Sequence, residues 1–215
     1  MILNRKGFTV IELLVAMAMS LAILGAARAM YRIQAHTIKS QENQMEAEEY
    51  ARVSLDMMAR EIRNLGYFPK QTACTSPANT KGIVSASATS INFVYDANGD
   101  GDCADASENV TYTYDPTTLN ISRTADGSTQ TLTNGNVEAF QLIYYPRQTG
   151  GTAPAPYCFA TGNPTGCSGT LSSSLSTVQR VYVSLTVKLQ RTDTNVGGQH
   201  SVAMNSSVNL RNHIN

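Results

Sequence analysis

The chain has 215 residues, 42% hydrophobic and only 15% charged, with 16 Lys+Arg against 16 Asp+Glu, a composition that excludes a disordered polymer. The even balance removes the cation excess on which sequence-independent phosphate binding rests, so no nucleic-acid partner is implied. Residues 1–66 hold 15 of the 32 charged residues, whereas 37 of the 42 Ser+Thr lie beyond residue 66, which divides the chain into two unlike parts near Gly66.

The first part opens with a polar leader, Met1 to Gly7, carrying Arg5 and Lys6. Phe8 to Ala27 then runs 20 residues with one charge, Glu12. At about 1.5 Å rise per residue that run spans roughly 30 Å, the depth of a bilayer core. Basic residues flank it on both sides, Arg5 and Lys6 before and Arg28, Arg32 and Lys39 after, so their count alone leaves the orientation open. A secretory signal cut after Ala27-Arg28-Ala29 is the rival reading. It requires an unusually long apolar region that also carries an acid.

No Pro or Gly occurs from Ala26 to Leu65, and good helix formers dominate, so one helix over residues 8–65 is expected, its first half transmembrane. Ala51, Leu55, Met58, Ile62 and Leu65 recur at spacings of four and three, which makes one stripe able to cover a domain. Glu48 with Arg52, and Asp56 with Arg60, set an acid four residues ahead of a base on an exposed face.

The segment KGFTVIELLVAM resembles the N-terminal signature of type IV prepilins and pseudopilins: a basic leader ending in Gly, then an aromatic residue, with Glu five residues after the cut. A second stretch, ARVSLDMMAREIRNLGYFP, is similar to the helix end of W-type minor pilins and J-type type II secretion pseudopilins. The resemblance implies an α+β pilin fold, a long helix packed on a mainly antiparallel sheet domain. It implies cleavage by a prepilin peptidase between Gly7 and Phe8, methylation of the Phe8 amine, and an assembly role for Glu12 opposite such an amine. The implied partners are the inner membrane, the peptidase and other minor or major pilins. Major pilins usually break the helix with a Pro in its membrane half, and none occurs between Ala18 and Leu65, which favours a minor subunit.

Gly66-Tyr-Phe-Pro69 stops the helix. Strand patterns follow at Ile91–Tyr95, Val110–Tyr114, Leu119–Arg123, Val137–Tyr145, Val178–Gln190 and Ser201–Leu210, separated by turn dipeptides, and predict an antiparallel meander over residues 66–215. In the clearest strand Val181, Val183, Leu185, Val187 and Leu189 share one face, for which the helix stripe is the expected cover.

Four cysteines, Cys74, Cys103, Cys158 and Cys167, never stand as Cys-x-x-Cys, which argues for disulfides over zinc or redox chemistry. Three connectivities are open, and the short loop from Cys158 to Cys167 favours pairing those two, with Cys74 to Cys103. Oxidised pairs require a compartment outside the cytosol, so the large part is expected in the periplasm, or at the cell surface once assembled into a pilus.

Asp96, Asn98, Asp100 and Asp102 place oxygen ligands at alternate positions in a glycine-containing turn, with Asp105 or Glu108 able to complete a calcium shell. It is not an EF-hand, because the twelfth position is Ser107 and a strand enters the loop. The alternative is a solvated turn without metal. Nucleophile and metalloprotease motifs are absent and the three histidines, His36, His200 and His213, are isolated, so no enzyme is expected. The sequence therefore points to a minor pilin. Its rivals are a J-type pseudopilin, a calcium-dependent adhesive tip module and a secreted β-domain.

Overall fold

The computed structural model describes residues 7–70, 74, 82–148, 150–151, 153–159, 162–171, 175–188 and 201–211. One helix, α1 (Val10–Asn64), precedes eight strands: β1 (Ile83–Ala86), β2 (Ser90–Val94), β3 (Asn109–Asp115), β4 (Asn120–Ala125), β5 (Ser128–Thr131), β6 (Val137–Pro146), β7 (Val178–Lys188) and β8 (Ser201–Asn209). The chain resolves into two compact units, residues 1–44 and 45–215.

In the first unit every described side chain from Gly7 to Gln41 is exposed, including Val10, Ile11, Leu14, Met17, Leu21 and Leu24. Such a surface is stable only against lipid or other helices. The helix is long and apolar enough here to cross a membrane.

In the second unit the rest of α1 turns its periodic stripe inward. Ala47, Ala51, Leu55, Met58, Ala59, Ile62 and Leu65 are buried in one core with residues from both sheets. The expected stripe is thus the packing face, widened by Ala47 and Ala59. On the opposite, wet side Arg60 pairs with Asp56 at 2.5 Å, a contact too exposed to add more than about 1 kcal/mol. Gly66, at φ 70°, ends the helix, and its N–H donates to the Val94 carbonyl, which ties the helix exit to the end of β2.

The strands form two antiparallel meanders where one was expected. Five strands run in the order β1-β2-β3-β4-β5, and three in the order β6-β7-β8. The alternation of β7 holds, with Val181, Val183, Leu185 and Val187 buried; Leu189 and Gln190 lie outside the described residues. β1 and β5 have no counterpart in the sequence pattern. β1 is four residues with a register shift, and all four side chains of β5 are exposed, so neither carries a clear period-2 hydrophobic signal. β4 starts at Asn120 because Leu119 adopts φ 55° in the turn after Asp115. The sheets are joined by main-chain bonds outside the ladders, Leu142 N–H to the Ala88 carbonyl and Val137 N–H to the Leu119 carbonyl.

Candidate functional site

The N-terminal site is built by the first turn of α1. Thr9 is its N-cap: the Glu12 N–H donates to Thr9 Oγ1 at 3.3 Å, while Glu12 Oε2 accepts from both the Thr9 N–H and hydroxyl at 3.3 Å. This reciprocal capping box satisfies donors that a helix start otherwise leaves open. Its sequence signal, Thr-x-x-Glu ahead of an apolar run, is in Thr9 to Glu12 and is separate from the signature that singled out Glu12. The box holds one carboxylate oxygen toward the chain start. Glu12 Oε1 has no hydrogen bond among the described residues and is open to a further donor. Gly7 and Phe8 precede the helix in exposed, irregular backbone, a form that a peptidase can enter. The rest of the leader lies outside the described residues.

Residues 95–108 form the acidic loop between β2 and β3, and the structure divides the expected ligand set in two. Asp96 and Glu108 are buried and hold the loop backbone. Asp96 Oδ1 accepts from Gly99 N–H at 2.5 Å and Oδ2 from Gly101 N–H at 3.1 Å, and Glu108 Oε1 accepts from Ala97 and Asn98 N–H. Gly99 takes φ +79° with Pro69 close by, which no other residue adopts without strain. Asp100, Asp102 and Asp105 instead present carboxylate oxygens that lie within 4.8 Å of one another. The Asn98 amide donates to Asp100 Oδ2 at 3.1 Å and Asp105 Oδ2 at 2.6 Å. The Asp102 N–H, and then the Asn98 amide, hold the Asp100 carboxyl below its ordinary pKa. An oxygen-preferring cation would take Asp100, Asp102 and Asp105, with Asn98 turning its carbonyl inward. An open polar groove of about 480 Å³ adjoins them, lined among others by Asn92, Asn109, Thr111, Thr124, Asp105 and Asp126.

Both disulfides are present, Cys74–Cys103 and Cys158–Cys167, and no free cysteine occurs among the described residues. Cys103 lies inside the acidic loop, buried with Cys74 and Val94 against Phe68, so the bridge fixes that loop beside the helix exit.

The sequence reading missed a polar lock between α1 and the five-stranded sheet. Arg123 stands directly opposite Tyr112 in the β3–β4 ladder, on the inward face, and reaches Glu61 of the helix. Arg123 Nε donates to both Glu61 oxygens at 3.1 and 3.0 Å, Nη2 lies 2.9 Å from Oε1, and the Tyr112 hydroxyl donates to Oε2 at 2.6 Å. Burial, then the Glu61 carboxylate, push the Tyr112 pKa far above its ordinary value, and the same carboxylate raises that of Arg123. The signal was an Arg at an inward position of the alternating run Ile121-Ser-Arg-Thr-Ala125. Among the aromatic residues, Tyr112, Tyr114 and Tyr144 pack in the core. His200 and His213 lie outside the described residues.

A family model described as the prokaryotic N-terminal methylation motif matches residues 2–27, and one described as prepilin peptidase-dependent protein B matches residues 40–211. The second match takes in most of the chain. The chain belongs to the prepilin peptidase-dependent protein B family. No curated protein and no solved structure matches it significantly. The methylation motif spans both Gly7-Phe8 and the Thr9–Glu12 box, and the family model spans the acidic loop, the lock and all four cysteines. This member is therefore a pilin-like protein with an apolar membrane-anchoring helix packed on antiparallel sheets.

Proposed function

We propose that this chain is a W-type minor pilin of a type IV pilus, a structural subunit that helps start or cap the filament. The observation that carries the reading is the methylation motif lying on a helix whose N-cap box presents Glu12 beside the expected cut. A prepilin peptidase cuts after Gly7 on the cytoplasmic side and the Phe8 amine is methylated. The apolar segment anchors the subunit in the inner membrane, and the sheet domain with its disulfides folds in the periplasm.

The physics of assembly follows from Glu12. A carboxylate within a bilayer is penalised unless paired, and an ammonium in the same medium relieves that cost when the geometry is good. The box leaves Oε1 for the amine of Phe8 of the same or an adjoining subunit. Docking against another helix is then favoured over isolation. The Asp100, Asp102 and Asp105 carboxylates are the proposed calcium position, which would brace the loop facing solvent.

Mass spectrometry of the mature protein from its native host tests the reading. A first residue of N-methylated Phe8 is expected, whereas a start at Met30 places the protein among secreted domains. A deletion strain separates the machines: fewer surface pili are expected, and normal pili with lost protein secretion would assign the chain to a type II system.

A further inference from the structure

The two sheets carry opposite charge. Between Ser90 and Thr131 the one cation is Arg123, already held by Glu61, while Asp100, Asp102, Asp105, Asp115 and Asp126 lie in the same stretch. The three-stranded sheet reverses this balance: β6 beyond Glu138, β7 and β8 contain no acid. Its inner face is core, with Val181, Val183, Leu185 and Val187 buried, so the alternate residues of β7 form a partly exposed outer face. Pairing sets Tyr145, Arg180 and Asn209 side by side across the three strands, with Ile143, Tyr182 and Ser207 in the next row of that face. Arg147 and Arg211, both exposed, follow Tyr145 and Asn209 by two residues at the same end of the sheet. There the ladder continues, Arg147 N–H donating to the Thr177 carbonyl and Leu210 N–H to the Gln179 carbonyl. Arg147, Arg180, Lys188 and Arg211 form no ion pair among the described residues. The Arg180 guanidinium lies over the Tyr145 ring, 4.3 Å from its centroid, which restrains a planar fork suited to bidentate carboxylate binding.

We propose that this outer face binds an acidic polysaccharide, a chain of sugar rings bearing carboxylates. This goes beyond the minor-pilin reading and does not rest on it. Arg147, Arg180 and Arg211 take carboxylates at one end of the face. Tyr182 offers a ring to the apolar side of a sugar, and Ser184, Asn205 and Ser207 supply donors and acceptors for its hydroxyls. Lys188 stands eight residues further along β7, roughly 26 Å away, with no charged residue between them on β7 or β8. Glu138 sits in the β6 bulge at that far end. Cations at the two ends of a long, uncharged polar strip match a polymer whose charges are sparse. Duplex DNA, with one charge per about 1.7 Å, would set most of its phosphates against uncharged side chains and gain little from counterion release. An apolar partner would bury the cations unpaired.

The test titrates the full-length chain in detergent, by calorimetry, with a galacturonate oligomer long enough to span the face. Binding is expected, and it should weaken as salt rises. A neutral malto-oligosaccharide of equal length should bind more weakly by about tenfold or more. Joint replacement Arg147→Gln, Arg180→Gln and Arg211→Gln should cut affinity about tenfold with the melting temperature held. Arg180→Lys keeps the charge but not the fork and should cost about threefold, which decides the matter if the triple variant melts early. Tyr182→Ala should cost about fivefold and leave the salt dependence unchanged. The proposal is overturned by no binding at millimolar oligomer, by parent affinity in the arginine variants, or by equal binding of the neutral sugar. Tighter binding of duplex DNA or polyphosphate at equal charge also overturns it. None of these results bears on the N-methylated Phe8 expected of a minor pilin, so the two readings fail separately.

Discussion

Replacing Arg123 by Met removes the cation from the lock while keeping most of its aliphatic volume. Glu61 and Arg123 side chains are only 18% and 13% exposed, so water cannot replace the lost partner fully. The carboxylate loses three close contacts, at 2.9 to 3.1 Å, and retains one hydroxyl donor. Breaking a buried ion pair on one side costs about 3–5 kcal/mol, and the residual exposure puts this case near the lower end, about 3 kcal/mol. For a domain of this size each kcal/mol moves the melting temperature by about 2–4 °C, so a fall of roughly 6–12 °C is expected by circular dichroism on the purified full-length chain in detergent. The decisive control is the triple variant Glu61→Leu, Arg123→Met, Tyr112→Phe. Removing every polar member together leaves nothing unpaired, and stability should return to within about 1 kcal/mol of the parent. A single variant costing under about 1 kcal/mol, or a triple variant as unstable as the single, would refute the argument that the lock matters through its unpaired charge.

Burial raises the Tyr112 and Tyr144 pKa values in the folded chain, so their contribution is fully present below the ordinary value of 10.0 and is lost as pH rises beyond it, because only the unfolded chain then releases those protons. Denaturant titrations should show a decline above pH 10 of about 1.4 kcal/mol per pH unit for each tyrosine, reduced by one such increment in Tyr112→Phe. Opening the Cys74–Cys103 loop, with its sequence separation of 29, by a paired Ser substitution should cost about 3.5 kcal/mol, against about 2.5 kcal/mol for Cys158–Cys167 with separation 9. Calcium at a hundred times its dissociation constant should stabilise the chain by about 2.7 kcal/mol, and triple replacement of Asp100, Asp102 and Asp105 by Asn should abolish the shift seen against chelator; no shift at millimolar calcium removes the ion from the account. Glu12→Ala should leave the helix membrane-bound yet deplete the protein from sheared filaments, whereas undiminished incorporation would remove Glu12 from the assembly step.

The helix, its membrane half, its inward stripe and its Gly66 stop were legible in the chain because each is a local pattern: a 3.6-residue period, an apolar length or a capping residue. The strands of clear alternation were legible for the same reason. β1 and β5 were not, since a short strand of polar or irregular character exists only because a neighbour offers a ladder. The division into two meanders, the separation of Asp96 and Glu108 from the exposed aspartates, and the meeting of Glu61 with Arg123 across 62 positions of sequence were decided by tertiary structure alone. Spacing in the loop marks which residues carry oxygen, but only the folded backbone shows which oxygens its own N–H groups already occupy. Likewise, hydropathy marks Arg123 as polar, while its burial depends on a helix supplying the opposite charge at the one place where the sheet brings them together.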